Sequence, residues 1–284
     1  MHMTTKYATA THLAPTDSNI LIVGLVRNGE KWIYQSLETL EKSFSSFNRI
    51  QWLVIESDSD DGTVMLLDDL AKQENNFRYI TAGLLRNIIP QRTARIAYCR
   101  NIYINELIKN PIYSTVKYVV IADLDGVNSS LSVDAIESCW LREDWDVCTA
   151  NQNKAYYDIW ALRHPSWCPN DCWEQFSFLN KYINSDFSLI SAVISKMIEI
   201  PENSEWIEVD SAFGGLAIYR REAISDEVYI GLNNFGAEVC EHVSFHKELR
   251  AKGKRIFINP ALINGALNEH SLKYDEIFRS MKII

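Results

Sequence analysis

The stretch Tyr118-Val-Val-Ile-Ala-Asp-Leu-Asp-Gly126 sets two carboxylates one residue apart at the end of an apolar, β-branched run. Such a run predicts a strand buried on both faces. Where it stops, Asp123 and Asp125, on either side of Leu124, can both bend towards one cation. Hard divalent ions such as Mn²⁺ or Mg²⁺ take oxygen ligands of this kind and fill the rest of their shells with phosphate oxygens and water. A cation bridging two phosphates offsets the charge that grows on a departing diphosphate. The same three letters also occur in solvated turns, and the strand in front of them is what gives these their weight.

Further groups could serve such a reaction. Arg92, Arg95 and Arg100 fall in a helical stretch over 92–108 and offer guanidinium forks to phosphate or to the sugar end of a donor. Arg92 and Arg95 share a helix face, and Arg100 is expected to point elsewhere. Arg27 and Asn28 end an apolar run and could contact a nucleotide, although Asn28-Gly29 is equally a plain turn. Glu56 runs into Ser57-Asp-Ser-Asp-Asp-Gly-Thr63, a cluster including Asp58 that could hold a ligand, cap the next helix, or do both. Tyr157, Asp158, Trp160 and Arg163 combine aromatic faces with a carboxylate and a guanidinium, which suits a sugar pocket; aromatic core packing is the alternative. Gly214 and Gly215 allow backbone to approach a ligand, or form a tight turn. In Glu238-Val-Cys-Glu-His-Val-Ser-Phe-His246, His242 could act as a base at neutral pH. His242 and His246, four apart, could share a metal, but no carboxylate stands at the zinc-motif position.

Positioning these groups requires a scaffold, and the hydrophobic pattern supplies one. Apolar runs at 19–26, 51–56, 77–80 and 116–122 read as strands, and helical spacing over 32–47, 63–73 and 92–108 fills the gaps. That alternation predicts an α/β fold with a mainly parallel central sheet and helices on both faces, which places ligands at the carboxyl ends of its strands. Beyond about residue 150 the pattern loosens. A strand at 215–219, a helix around 237–251 and a strand at 255–258 are expected there. Residues 1–18 read as a loose tail and 19–284 as one domain, with a nucleotide half at 19–130 and an acceptor half at 131–284.

A strand ending in Asp-x-Asp about a hundred residues after an initial strand resembles the Rossmann-like GT-A fold of nucleotide-sugar glycosyltransferases. Ile22-Val-Gly-Leu-Val-Arg-Asn-Gly29 is similar to its first strand and nucleotide loop, and Arg92-Thr-Ala-Arg-Ile-Ala-Tyr-Cys-Arg-Asn101 to the helix before its metal motif. With Tyr156-Tyr-Asp-Ile-Trp-Ala-Leu-Arg163, Phe213-Gly-Gly-Leu-Ala-Ile-Tyr-Arg220 and Cys240-Glu-His242, the chain most resembles the capsule-associated α-mannosyltransferase group and its bacterial relatives. The resemblance implies that Glu56 meets the base or ribose and that Glu241, with His242, faces the acceptor. It also implies that His270 is a third metal ligand. Where many such enzymes carry Glu-Asp this chain has Glu241-His242, which fits a retaining enzyme better than an inverting one. The implied donor is a GDP- or UDP-sugar, the metal Mn²⁺ or Mg²⁺, and the acceptor a glycan or lipid-linked saccharide in polysaccharide biosynthesis. A nucleotidyltransferase acting on sugar phosphates and a non-catalytic carbohydrate-binding protein are the competing readings. Against the first, Gly24-Leu-Val-Arg-Asn-Gly29 makes a poor phosphate loop.

Bulk composition narrows the class of protein. The 284 residues are 47% hydrophobic and 23% charged, ordinary for a globular chain. A net charge of −9 offers no lysine and arginine excess to displace counterions from nucleic acid. No window approaches the roughly 18 apolar residues of a membrane span, and Met1-His-Met-Thr-Thr-Lys-Tyr7 lacks a signal-like apolar segment. A cytoplasmic enzyme, free or peripheral to a membrane, is expected. The six cysteines read as reduced thiols, with a local disulfide or soft-metal site at Cys168 and Cys172 as the alternative.

Overall fold

The computed structural model describes residues 12–265, so His270 lies outside the described residues. In chain order the elements are β1 (Asn19–Val26), α1 (Ile33–Ser43), β2 (Arg49–Glu56), α2 (Thr63–Gln73), β3 (Phe77–Thr81), α3 (Arg92–Lys109), β4 (Val116–Ala122) and α4 (Val133–Glu137). There follow β5 (Val147–Gln152), α5 (Cys172–Leu179), α6 (Ser185–Ala192), β6 (Ile207–Val209), β7 (Leu216–Arg220), α7 (Glu241–Ala251) and β8 (Ile256–Gly265). The strands form a single eight-stranded sheet in the order β3-β2-β1-β4-β7-β5-β8-β6.

Side chains alternate across the sheet and build two cores. Leu21, Val23, Leu53, Ile55, Val119 and Ile121 pack with Ala97 and Tyr103 of α3 and with Phe245 and Leu249 of α7. Ile20, Ile22, Val54, Tyr118 and Val120 pack on the other face with Ile33 and Leu40 of α1, Leu67 of α2 and Ile136 of α4. Both faces are covered, so these strands are apolar throughout and do not alternate. Ile33, Leu40 and Phe44 are completely buried, each contributing about 1.5–3 kcal/mol through burial.

The α/β class expected from the sequence is what the structure has. β3, β2, β1 and β4 run parallel, whereas β7 is antiparallel to both neighbours and β6 is antiparallel to β8. The chain leaves β1 towards β2 and β3, then returns to place β4 on the other flank of β1. That reversal opens a crevice at the carboxyl ends of β1 and β4, the usual ligand position in such sheets.

Three elements differ from expectation for identifiable reasons. β5 is fully buried, yet its sequence, Val-Cys-Thr-Ala-Asn-Gln, lacks an apolar run. Thr149 and Asn151 sit in the core because they bond to backbone oxygens of Phe257, Ile200 and Pro260. β8 continues past Pro260, where its pairing with β5 shifts register and no ladder donor is needed. α7 begins only at Glu241, because the preceding residues fold into a turn closed by a Leu232–Glu238 bridge. All six cysteines are free and buried, Cys168 and Cys172 among them. No helix among the described residues is long and apolar enough to cross a membrane.

Candidate active site

A hollow of about 490 Å³ opens at the crevice beside β1 and β4. Arg27, Asn28, Asp58, Arg95 and Arg100 line one part of it, and Asp123, Leu124 and Asp125 another. Tyr157, Asp158, Trp160, Glu241 and His242 complete the wall. Most of the candidate residues, scattered over more than two hundred positions, therefore share one space.

The loops after β1 and β2 are interlocked. Asn28 donates from Nδ2 to Asp60 Oδ1 at 2.8 Å and accepts the Asp60 N–H at 2.9 Å. Gly29 N–H donates to Thr63 Oγ1 at 2.8 Å, and Gly62 N–H donates to Glu30 at 3.0 Å. Asn28 and Asp58 both have positive φ, 52° and 62°, a conformation that non-glycine residues keep only when their surroundings impose it. Asp58 accepts the Arg86 N–H at 2.8 Å and pairs with Arg95 Nε at 3.4 Å. Arg95 also donates to the carbonyls of Ile89 and Pro90. Glu56, expected against the nucleoside, is not on the wall. It is 2% exposed and accepts from the Ser59 N–H and the Thr81 hydroxyl, so it shapes the loop that presents Asp58.

Arg100 does not point away. Eight residues after Arg92 it has come two turns and about 80° round α3, and it lies on the hollow with Arg95. Its Nε donates to Glu241 Oε1 at 2.8 Å, Nη1 donates to the Tyr103 hydroxyl at 3.2 Å, and Nη2 stands 4.0 Å from Asp123 Oδ1.

Burial and the like charge of Asp125 push the Asp123 carboxyl up to about 8, against the pull of Arg100. Asp125 accepts the Val127 N–H at 3.2 Å, which shapes the turn at Gly126. Besides Asp58, which is paired with Arg95, four carboxylates thus line the hollow, those of Asp123, Asp125, Asp158 and Glu241. The oxygen donors and local negative charge fit a hard divalent cation. Among the described residues no group of three or more His, Cys, Asp or Glu stands at ligand spacing. An ion at Asp123 and Asp125 would complete its shell from phosphate, from water or from outside these residues.

No protein-family model matches this chain. No curated protein sequence matches it either. Among solved structures, a mannosyltransferase from Pyrobaculum calidifontis in complex with GDP-Man and Mn²⁺ is similar over 91% of this chain and 59% of its own, at 15% identity and a TM-score of 0.48. S. aureus TarS residues 1–349 in complex with UDP-GlcNAc is similar over 93% of this chain and 66% of its own, at 13% identity and a TM-score of 0.49. Glucosyl-3-phosphoglycerate synthase from Mycobacterium tuberculosis with UDP reaches a TM-score of 0.41 at 11% identity, over 88% of this chain and 69% of its own. The chain spans less than two thirds of the first two proteins' lengths. Likenesses this distant carry no activity over to this chain.

Several candidates prove to be architecture. Arg163 lies off the main hollow: it donates to the carbonyls of Trp160 and Leu162 and pairs with Asp171 at 2.7 Å. Asp171 also accepts from Trp160 Nε1 at 3.0 Å and caps α5, so Arg163 and Asp171 hold the Trp160 ring in place. Gly214 and Gly215 are also absent from the wall and have φ of 70° and 88°. A Cβ on Gly214 would stand 2.9 Å from the Ala150 carbonyl, and one on Gly215 would stand 2.8 Å from Val127. Close packing, not a ligand, requires these glycines. Asp158, whose proton affinity is raised by burial, accepts the Gly214 N–H at 2.9 Å.

Neither histidine of α7 matches its expected role. His246 is bonded through both ring nitrogens, to Ser211 and Tyr219, and burial lowers its pKa to about 3. Both ring nitrogens are thus engaged by hydroxyls, and neither faces a metal site shared with His242. His242 stacks on Phe213 with ring centroids 3.9 Å apart, and both of its nitrogens lack partners. Burial first, then Arg100, hold it well below the ordinary histidine value, making it a poor base at neutral pH.

Sequence reading missed the buttress behind the carboxylates. Asn128 Nδ2 donates to the Asp123 carbonyl at 2.9 Å, and Asn264 Nδ2 donates to Asn128 Oδ1 and to the Gly214 carbonyl, both at 2.8 Å. Asn128 and Asn264 are 136 positions apart and belong to no motif. Asn128, two residues past the turn at Gly126, was the only local signal.

Proposed function

We propose that this chain is a metal-dependent glycosyltransferase of GT-A type, transferring a hexose from a GDP- or UDP-sugar to a glycan or lipid-linked saccharide with retention of configuration. The observation that carries the reading is the set of four carboxylates, with Arg100 between Asp123 and Glu241, where β1 and β4 part. Asp123 and Asp125 would hold Mn²⁺ or Mg²⁺, and the ion supplies positive charge against the departing diphosphate. The interlocked loops carrying Arg27, Asn28 and Asp58 would receive the nucleoside, and Tyr157, Asp158 and Trp160 would receive the sugar. The sequence resemblance to the capsule-associated α-mannosyltransferase group makes mannose the first sugar to test.

The start of α7 supports the retaining reading. Glu241 Oε1 is committed to Arg100, and His242 is held neutral against Phe213, so neither is a free base for the acceptor hydroxyl. In the retaining reaction that oxygen bonds to the anomeric carbon on the face the diphosphate leaves. The carbon–oxygen bond to the diphosphate breaks, and the acceptor's proton passes to the released diphosphate oxygen.

A donor-hydrolysis and calorimetry screen over GDP- and UDP-sugars, with and without Mn²⁺, tests the assignment. Metal-dependent binding of at least one donor is expected, and its absence for all of them overturns the reading. NMR of the first-formed anomer then tests retention, which an inverted product would exclude.

A further inference from the structure

We propose that Arg100 is a positioning residue, whose guanidinium fixes the Glu241 carboxylate relative to Asp123 and does not grip the donor's phosphates. The proposal rests on the transferase reading and assigns this arginine a role within it. Arg100 is 5% exposed, and its three nitrogens already have neighbours. Nε donates to Glu241 at 2.8 Å, Nη1 donates to Tyr103 at 3.2 Å, and Nη2 faces Asp123 at 4.0 Å. An arginine that binds diphosphate keeps a two-pronged edge open to it; here Nε and Nη1 are already bonded within the protein, and the buried Nη2 faces the Asp123 carboxylate. The guanidinium also lies within cation–π range of Phe213 and Tyr229, at 5.3 Å and 5.6 Å from their ring centroids.

Three separate elements meet at this side chain. Arg100 is in the middle of α3, Glu241 is the first residue of α7, and Asp123 follows β4. The geometry is reinforced one residue on, where the Asn101 amide donates to the Tyr229 carbonyl and accepts the Tyr229 N–H, both at 2.9 Å. Near the start of α3, Thr93 Oγ1 donates to the Gly231 carbonyl at 2.6 Å. A Cβ on Gly231 would stand 2.1 Å from the Thr93 carbonyl. One helix thus carries the arginine and grips the segment that provides an aromatic wall beside it. Truncating Arg100 would leave Glu241, only 6% exposed, as an unpaired buried charge.

Two measurements on Arg100→Gln, Arg100→Lys, Glu241→Gln and the Arg100→Gln/Glu241→Gln double variant decide the matter. The first is a thermal-unfolding double-mutant cycle, which needs no substrate. Arg100→Gln should lower Tm, and adding Glu241→Gln should restore much of the loss; additive effects would overturn the pairing. The second is calorimetry of GDP and UDP with Mn²⁺, followed by donor-hydrolysis kinetics. Nucleotide affinity in Arg100→Gln should stay within about threefold of the parent, against a loss of about tenfold or more for a phosphate-binding arginine. The kcat of Arg100→Gln should fall with KM little changed, and Arg100→Lys should recover part of it. A raised KM at constant kcat overturns the positioning role. If the parent protein binds neither nucleotide with Mn²⁺, the transferase reading falls and the positioning role falls with it, while the unfolding cycle still reports on the pair.

Discussion

The two halves of the sheet are held together by different physics. β3, β2, β1 and β4 are parallel and their inner positions are almost wholly apolar. β7, β5, β8 and β6 are mixed in direction and bury Thr149, Asn151, Gln152, Asn259 and Asn264 at no more than 2% exposure. Apolar burial is non-directional and supplies stability. Buried amides must each find a partner in a set geometry, so they specify orientation more than they stabilise. The carboxylates sit on the seam: Asp123 ends the apolar half, and its N–H donates to Gly215 of the polar half at 2.9 Å.

Substitutions on either side of the seam can break this contrast. The largest effect is expected at the seam, where Asp123→Asn should abolish Mn²⁺-dependent nucleotide binding in calorimetry. The same change should leave the metal-free protein at least as stable in thermal unfolding, because it relieves crowding among four carboxylates. In the apolar half, Leu53→Ala should cost about 2–5 kcal/mol in denaturant unfolding and leave nucleotide affinity unchanged. In the polar half, Asn264→Ala should cost less, about 1–3 kcal/mol, yet slow donor hydrolysis more, because it frees the Asn128 and Gly214 contacts behind Asp123. If Leu53→Ala and Asn264→Ala impair turnover equally per unit of stability lost, the contrast is wrong. The smallest effect is one of pH. His246 has its folded pKa lowered from 6.5 to about 3, so the unfolded chain binds the proton more readily. The stability tied to its neutral form is full above pH 6.5 and is lost progressively as pH falls towards 3. His246→Asn should flatten that part of a Tm-against-pH curve.

The same division governs what could be read from the sequence. β1, α2 and β4 occupy the expected residues, Asn19–Val26, Thr63–Gln73 and Val116–Ala122, because periodicity reports apolar burial and little else. Asp123 and Asp125 were visible because such a strand delivers them. β5 was invisible, since Thr149, Asn151 and Gln152 look like loop residues until their distant partners are known. Arg100 was visible as a charge but not as a partner of Glu241, 141 positions away. Arg163 and the Gly214-Gly215 pair carried the composition of a ligand pocket, and they lie behind the hollow's wall in ion-pair and close-packing contacts. Contacts between residues far apart in sequence leave no local pattern.

The reciprocal Asn28–Asp60 bonds have a consequence for recognition. The loops after β1 and β2 are tied to each other before any ligand arrives, so one cannot shift without carrying the other. A nucleoside entering there would meet a finished mould and would not have to order a flexible lip. Its affinity would then depend on fit more than on the entropy of loop closure. Loosening the clasp from its other side with Asp60→Ala, a residue off the hollow's wall, should therefore show as an added entropic penalty on nucleotide binding, while the contacts in the bound state stay the same.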